Sequence, residues 1–142
     1  MKRILLFLTA LTLCASCSVM CINKKPNLNN TRWTCRFQEF VADAGNETVT
    51  FTLSFVSAKE YVLETEYYLP PYPAMRMNPD GTVDMMPGHH SQHAEKGTYS
   101  IKGNTVTLKD EDGLKRTLRY SPGKLATDEL SYKPLIFNPA EE

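Results

Sequence analysis

The sequence predicts an all-β protein, a single small antiparallel up-and-down barrel of about eight strands, with a β-sandwich as the structural alternative. Three observations predict it. Apolar residues recur with a period of two, no segment carries a sustained apolar stripe at helical spacing, and turn-forming clusters interrupt the chain roughly every ten residues.

The first segment stands outside that rhythm. Lys2 and Arg3 precede Ile4 to Leu13, a positive head and an apolar run of about ten residues, which is the pattern of an export signal. A bilayer core needs about 20 apolar residues to be spanned by a helix, so this run is too short to be a permanent span. Ala15-Ser16-Cys17 places small residues before a cysteine and resembles the lipobox of bacterial lipoproteins, although Cys14 stands where that pattern usually has an apolar residue. Cys14 follows Leu13 and Cys21 follows Met20, both too bulky for the small position, so Cys17 is the expected lipid-modified anchor. Residues 1–16 are expected to be removed as a signal peptide, leaving 126 of 142 residues, enough for one core.

Losing Lys2 and Arg3 leaves 14 basic against 16 acidic side chains, a formal charge of −2. Basic residues are scattered among acids with no run longer than two, which argues against nucleic acid as a partner. Residues 17–30 are polar and lack periodicity, so they read as the lipid anchor and its tether. Cys21 and Cys35 are the two thiols left to form a disulfide outside the cytoplasm, and Cys35 reads equally as a small buried hydrophobe.

The domain is expected over residues 31–138. Trp33, Cys35 and Phe37 share one face of a first strand, and Ala44-Gly45-Asn46 turns the chain. Val49, Phe51, Leu53 and Phe55 then alternate without a break against Thr48, Thr50, Thr52 and Ser54. After Ser57-Ala58-Lys59 the alternation resumes at Tyr61, Leu63, Thr65 and Tyr67, and Glu64 and Glu66 fall on the opposite, solvent-facing side. Gly97 to Ile101, a tight turn at Lys102-Gly103-Asn104, and Val106 with Leu108 form a hairpin. Asp110 to Gly113 leads into a strand from Leu114 to Tyr120, Ser121-Pro122-Gly123 into a short one at Leu125, and Tyr132 to Phe137 supplies the last.

The run Gly97-Thr98-Tyr99-Ser100-Ile101-Lys102-Gly103-Asn104, continued through Tyr120 and Lys124-Leu125, resembles the second half of lipocalin-like, calycin-type small barrels found among bacterial lipoproteins. The same rhythm is similar to that of the copper-responsive envelope-stress lipoproteins, but their early C-x-x-C pair is absent, since only Cys35 stands in that region. The resemblance implies a barrel and carries no activity. Surface-exposed lipoproteins of the Bacteroidetes share acidic residues after the anchor cysteine. This tether has lysines, which implies a periplasm-facing protein on the outer membrane.

Residues 70–94 break the strand rhythm and are expected to form a long loop, with a brief hairpin around Asp80-Gly81. Met75, Met77, Met85, Met86, His89, His90 and His93 all fall there, and thioether with imidazole suits copper. The competing reading is a lid whose methionines pack over an open barrel end. Arg116 falls on the inward face of its strand, where it would meet an anionic ligand, reach an open end or pair with a core carboxylate. Trp33 and Tyr99 are the other expected ligand contacts. No nucleophile with a neighbouring base, no phosphate loop and no cofactor fingerprint is present, so catalysis is not expected. The expected function is therefore a non-enzymatic envelope lipoprotein that binds a small ligand or an envelope protein. The alternatives are copper or other metal binding through the Met and His segment, or inhibition of an envelope or host hydrolase by a loop at 70–93.

Overall fold

The structure is a computed structural model and describes residues 25–141. Cys17, Cys21 and the signal segment lie outside the described residues. Ten strands form: β1 (Thr31–Val41), β2 (Gly45–Phe55), β3 (Glu60–Leu69), β4 (Tyr72–Met77), β5 (Val83–Met86), β6 (His89–Lys102), β7 (Thr105–Asp110), β8 (Lys115–Ser121), β9 (Lys124–Thr127) and β10 (Leu135–Pro139). Eight of them close an antiparallel barrel in the order β1-β10-β9-β8-β7-β6-β3-β2, an up-and-down meander into which β4 and β5 are inserted as a separate hairpin. No helix occurs among the described residues.

Alternation makes the barrel. In β2, Val49, Phe51, Leu53 and Phe55 point inward, and the threonines between them suit a pleated outer surface. Cys35 opposite Phe51, Leu53 opposite Leu63 and Phe55 opposite Tyr61 continue the same inner layer across neighbouring strands. Val106, Leu108, Leu118, Leu125, Leu135 and Phe137 complete it from the far wall, each fully buried. A barrel of eight strands is only wide enough for side chains to fill or for one small ligand, and here side chains fill it.

Local chemistry sets the corners. Gly103 adopts φ +59° in the β6 to β7 hairpin, the left-handed conformation that such a turn demands. Gly97 is needed for another reason: a Cβ there would lie 2.2 Å from the Lys109 carbonyl oxygen, so only glycine lets β6 approach β7 so closely.

Four boundaries differ from the expectation. Leu28, placed in the tether, is 2% exposed and plugs the end of the barrel where the chain enters, with Thr31 N–H bonding its carbonyl at 3.1 Å. Leu114, which opens the expected strand and shares the parity of the inward Arg116 and Leu118, is exposed because the Asp110–Gly113 turn is still closing there. β10 begins at Leu135, and Tyr132 is exposed. The expected loop of 70–94 is mostly ordered strand: β6 starts at His89 and pairs with β3 from Leu69 opposite His89 onward, while 72–86 form the β4–β5 arm. A polar strand with little apolar alternation gave no period to read.

Candidate functional site: the open end and its arm

The barrel is closed along only part of its length. β1 meets β10 at just two positions, Trp33 opposite Pro139 and Thr34 opposite Asn138, and β7 joins β6 only from Gly97 onward. Below those contacts β1, β2, β3 and β6 continue as a curved four-stranded sheet. Its inner face carries Phe37, Tyr67 and Ser91, all partly exposed, in one row with the buried Val49 and one step from the buried Thr65. Lys133 caps one side, its Nζ 3.4 Å from the Phe37 ring centroid and 3.5 Å from Glu39 Oε1.

Arg116 faces inward as its strand position requires. Its Nη1 donates to Glu95 Oε1 at 2.5 Å, and its Nη2 lies 3.7 Å from Asp110 Oδ2. Tyr61 Oη donates to the same Glu95 oxygen at 2.6 Å. Four strands thus contribute one group each, and Arg116 is paired within the wall. Burial pushes the Tyr61 phenol above its ordinary range, and the bond to Glu95 and that carboxylate's charge push it further. The Glu95 hydrogen bond, the largest influence, holds the Arg116 guanidinium still more firmly protonated.

Trp33 and Tyr99 do not join this group around an open volume. Trp33 is buried, edge-on to Tyr120 with centroids 6.3 Å apart, and its Nε1 donates to Thr31 Oγ1 at 2.9 Å. Tyr99 packs edge-on to Phe55 at 4.6 Å and donates to the Ser57 carbonyl at 3.0 Å. Both polar tips are satisfied inside the fold. Tyr99 also borders a surface cleft of about 490 Å³ beneath the entering segment Lys25 to Asn29.

The methionines and histidines separate. Met75, Met77, Met85 and Met86 lie on the arm with exposures of 80%, 66%, 62% and 42%. They do not pack as a lid. Pro73 pairs with Met85 and Met77 with Val83, across an irregularity in register. His89, His90 and His93 belong to β6. His90 points outward to Glu66 Oε1 at 2.7 Å and lies edge-on to the Tyr68 ring. His89 and His93 alternate to the opposite face, so the three imidazoles do not converge. Among the described residues no group of three His, Cys, Asp or Glu is placed to hold a metal ion.

The arm leaves at the end remote from chain entry. Thr31 lies beside Phe55, which pairs with Tyr61, whereas Leu69 at the arm's base lies eight residues further along β3. At strand rise that is roughly 25 Å. The base is fixed by Gly88, where a Cβ would sit 2.3 Å from the Leu69 carbonyl oxygen.

Cys35 is buried in the core with no disulfide partner among the described residues, and burial raises its pKa. Glu64 faces outward, as expected, 4.0 Å from Arg32. Sequence reasoning missed Glu95 and Asp110 as the partners of Arg116, and Tyr61 as the second donor to Glu95. Counting back in twos from Tyr99 would have placed Glu95 inward. Its meeting with Arg116 depends on the barrel's stagger, which no local pattern encodes. Comparisons of this chain with protein-family profiles, with curated proteins and with solved structures find no match.

Proposed function

We propose that this chain is a non-enzymatic interaction module of a bacterial cell envelope, anchored by lipid on Cys17 in the outer membrane and facing the periplasm. Its partner is another protein, engaged by the arm. The observation that carries this reading is the distribution of apolar surface: the barrel interior is filled, while the arm exposes Met75, Met77, Val83, Met85 and Met86 at the end away from the tether. Flexible thioether side chains adapt to a partner's surface, and exposed methionines are favoured where binding surfaces must re-pack. A filled interior favours a protein partner over a carried small ligand. An envelope or host hydrolase is one class of partner that such an arm could engage.

The test replaces residues 72–86 by a two-residue Asn-Gly turn. Proteins captured from the native envelope by the parent chain should be lost from the variant, with its thermal unfolding unchanged. Retention of the same partner by the armless chain would remove the reading.

A second reading, Cu(I) binding by the arm, is favoured by the four thioethers gathered on one hairpin, since soft sulfur ligands select Cu(I). It predicts that Cu(I) competes with a colorimetric chelator for the chain, and that changing the four methionines to leucine abolishes the competition. Equal competition by both chains would dismiss it.

A further inference from the structure

The lower half of β6 carries one bare edge. β6 pairs with β3 from His89 to Thr98, whereas its other edge meets β7 only from Gly97 to Lys102. The Tyr99 amide donates to the Lys59 carbonyl on the β3 side at 2.7 Å. That bond fixes the alternation, so odd-numbered residues of β6 turn their backbone groups to β3 and even-numbered ones turn them away. His90, Gln92, Ala94 and Lys96 therefore direct N–H and C=O groups to an edge that no strand covers among the described residues. The segment His89–Lys96 has no proline and no break in register, two devices that commonly blunt such edges.

We propose that this edge pairs antiparallel with the same edge of a second copy, about a two-fold axis at Gln92, to make a homodimer. The proposal is independent of what the arm binds. Two features select a second copy as the occupant. The first is fit. The bare edge is bounded by β7 at Gly97 and by the arm leaving at Gly88, and a pairing centred on Gln92 sets Gly88 opposite Lys96 of the second copy, so both strands end where the edge ends. Centring on His93 instead would set His89 opposite Gly97, whose edge Asp110 already occupies.

The second is charge. Centring on Gln92 puts Glu95 opposite His89, His93 opposite Ser91, and Ala94 opposite His90, and no like charges meet. Centring on His93 would face His93 with itself and His90 with Lys96. The resulting dimer would join two four-stranded lower sheets into one, each satisfying backbone groups that the other leaves bare.

The experiment uses the full-length chain in detergent. In a backbone-bonded antiparallel pair, facing Cα atoms lie about 5.5 Å apart, within the span of a disulfide. Gln92→Cys should give a covalent dimer on mild oxidation, while the wild type and Thr98→Cys, which sits on the outer face where β7 covers the edge, should not. By equilibrium sedimentation the wild type should show twice the mass of one chain. Gln92→Pro removes the amide at the bare edge and leaves the β3 bonds intact, and Gln92→Lys sets like charges across the axis. Each should halve the sedimenting mass, and Gln92→Lys, which asks nothing new of the backbone, should keep the wild-type unfolding midpoint. The proposal fails if the wild type sediments as one chain at every concentration, if Thr98→Cys cross-links as readily as Gln92→Cys, or if Gln92→Lys keeps the doubled mass.

Discussion

Arg116 shows how much one inward side chain can require of its neighbours. A guanidinium in a barrel wall is tolerated because Glu95 and Asp110 offset its charge, and Glu95 in turn accepts the Tyr61 hydroxyl. Arg116→Ala would leave two carboxylates facing each other with little solvent. Loss of about 3 kcal/mol is expected in denaturant unfolding. Replacing Arg116 and Glu95 together by methionine should cost clearly less than the single change, because the buried charge is removed along with its partner. Tyr61 gives a pH dependence. Its folded pKa is raised, so the stability it contributes is complete below the ordinary tyrosine pKa of about 10 and is lost as pH rises through that value toward the folded one. Tyr99, also raised by burial, acts in the same direction. Unfolding midpoints should therefore fall above about pH 10, and Tyr61→Phe should flatten that fall. An unchanged slope in Tyr61→Phe would show that the phenol is not the source. The position of Arg116 on an inward face was legible from the residues at even spacing from it, Leu114, Leu118 and Tyr120, although Leu114 itself is exposed. Which of three fates it meets was not, since its partners come from strands that are distant in sequence.

At the scale of the element, β6 carries the most consequence. Its upper half alternates Tyr99 and Ile101 inward and reads as a strand, while its lower half is polar and reads as loop. Pairing with β3 overrides that weak local preference, because Tyr61, Leu63, Thr65, Tyr67 and Leu69 already present a strand edge with bonds to satisfy. Gly97 sits where the two halves meet and admits the Lys109 carbonyl. Gly97→Ala is expected to cost about 2 kcal/mol in unfolding free energy, since backbone must move to make room, whereas Ala at the nearby exposed Thr98 should cost well under half of that. Equal effects at the two positions would show that β6 and β7 can separate without penalty. The arm is an element of the opposite kind. Its strands contribute no side chain to the core, and Gly88 lets its base pack closely against the Leu69 and Pro70 backbone. Its hairpin was anticipated at Asp80-Gly81, where Asp80 accepts bonds from the Thr82 amide and hydroxyl at 2.9 and 2.6 Å and Gly81 adopts φ +82°.

Across the whole molecule, the barrel acts as a spacer with unlike ends. The chain enters at the end that Leu28 plugs, and the arm and the bare β6 edge stand toward the other. With the proposed lipid anchor on Cys17, this arrangement would present both surfaces away from the membrane. The armless variant and the Gln92 variants probe them separately, one by partner capture and the other by mass. The sequence by itself determined the β class, an up-and-down barrel of about eight strands, and the inward residues of most of them. Those features follow from a period of two and from turn chemistry, both encoded within a few neighbouring residues. Only the tertiary structure decided where β6 begins, that Arg116 meets Glu95 and Asp110, that the histidines leave the methionines, and that the interior is filled. Each of these depends on register and stagger around a closed sheet, which are set by the sum of pairings along the whole chain and by no local run of it.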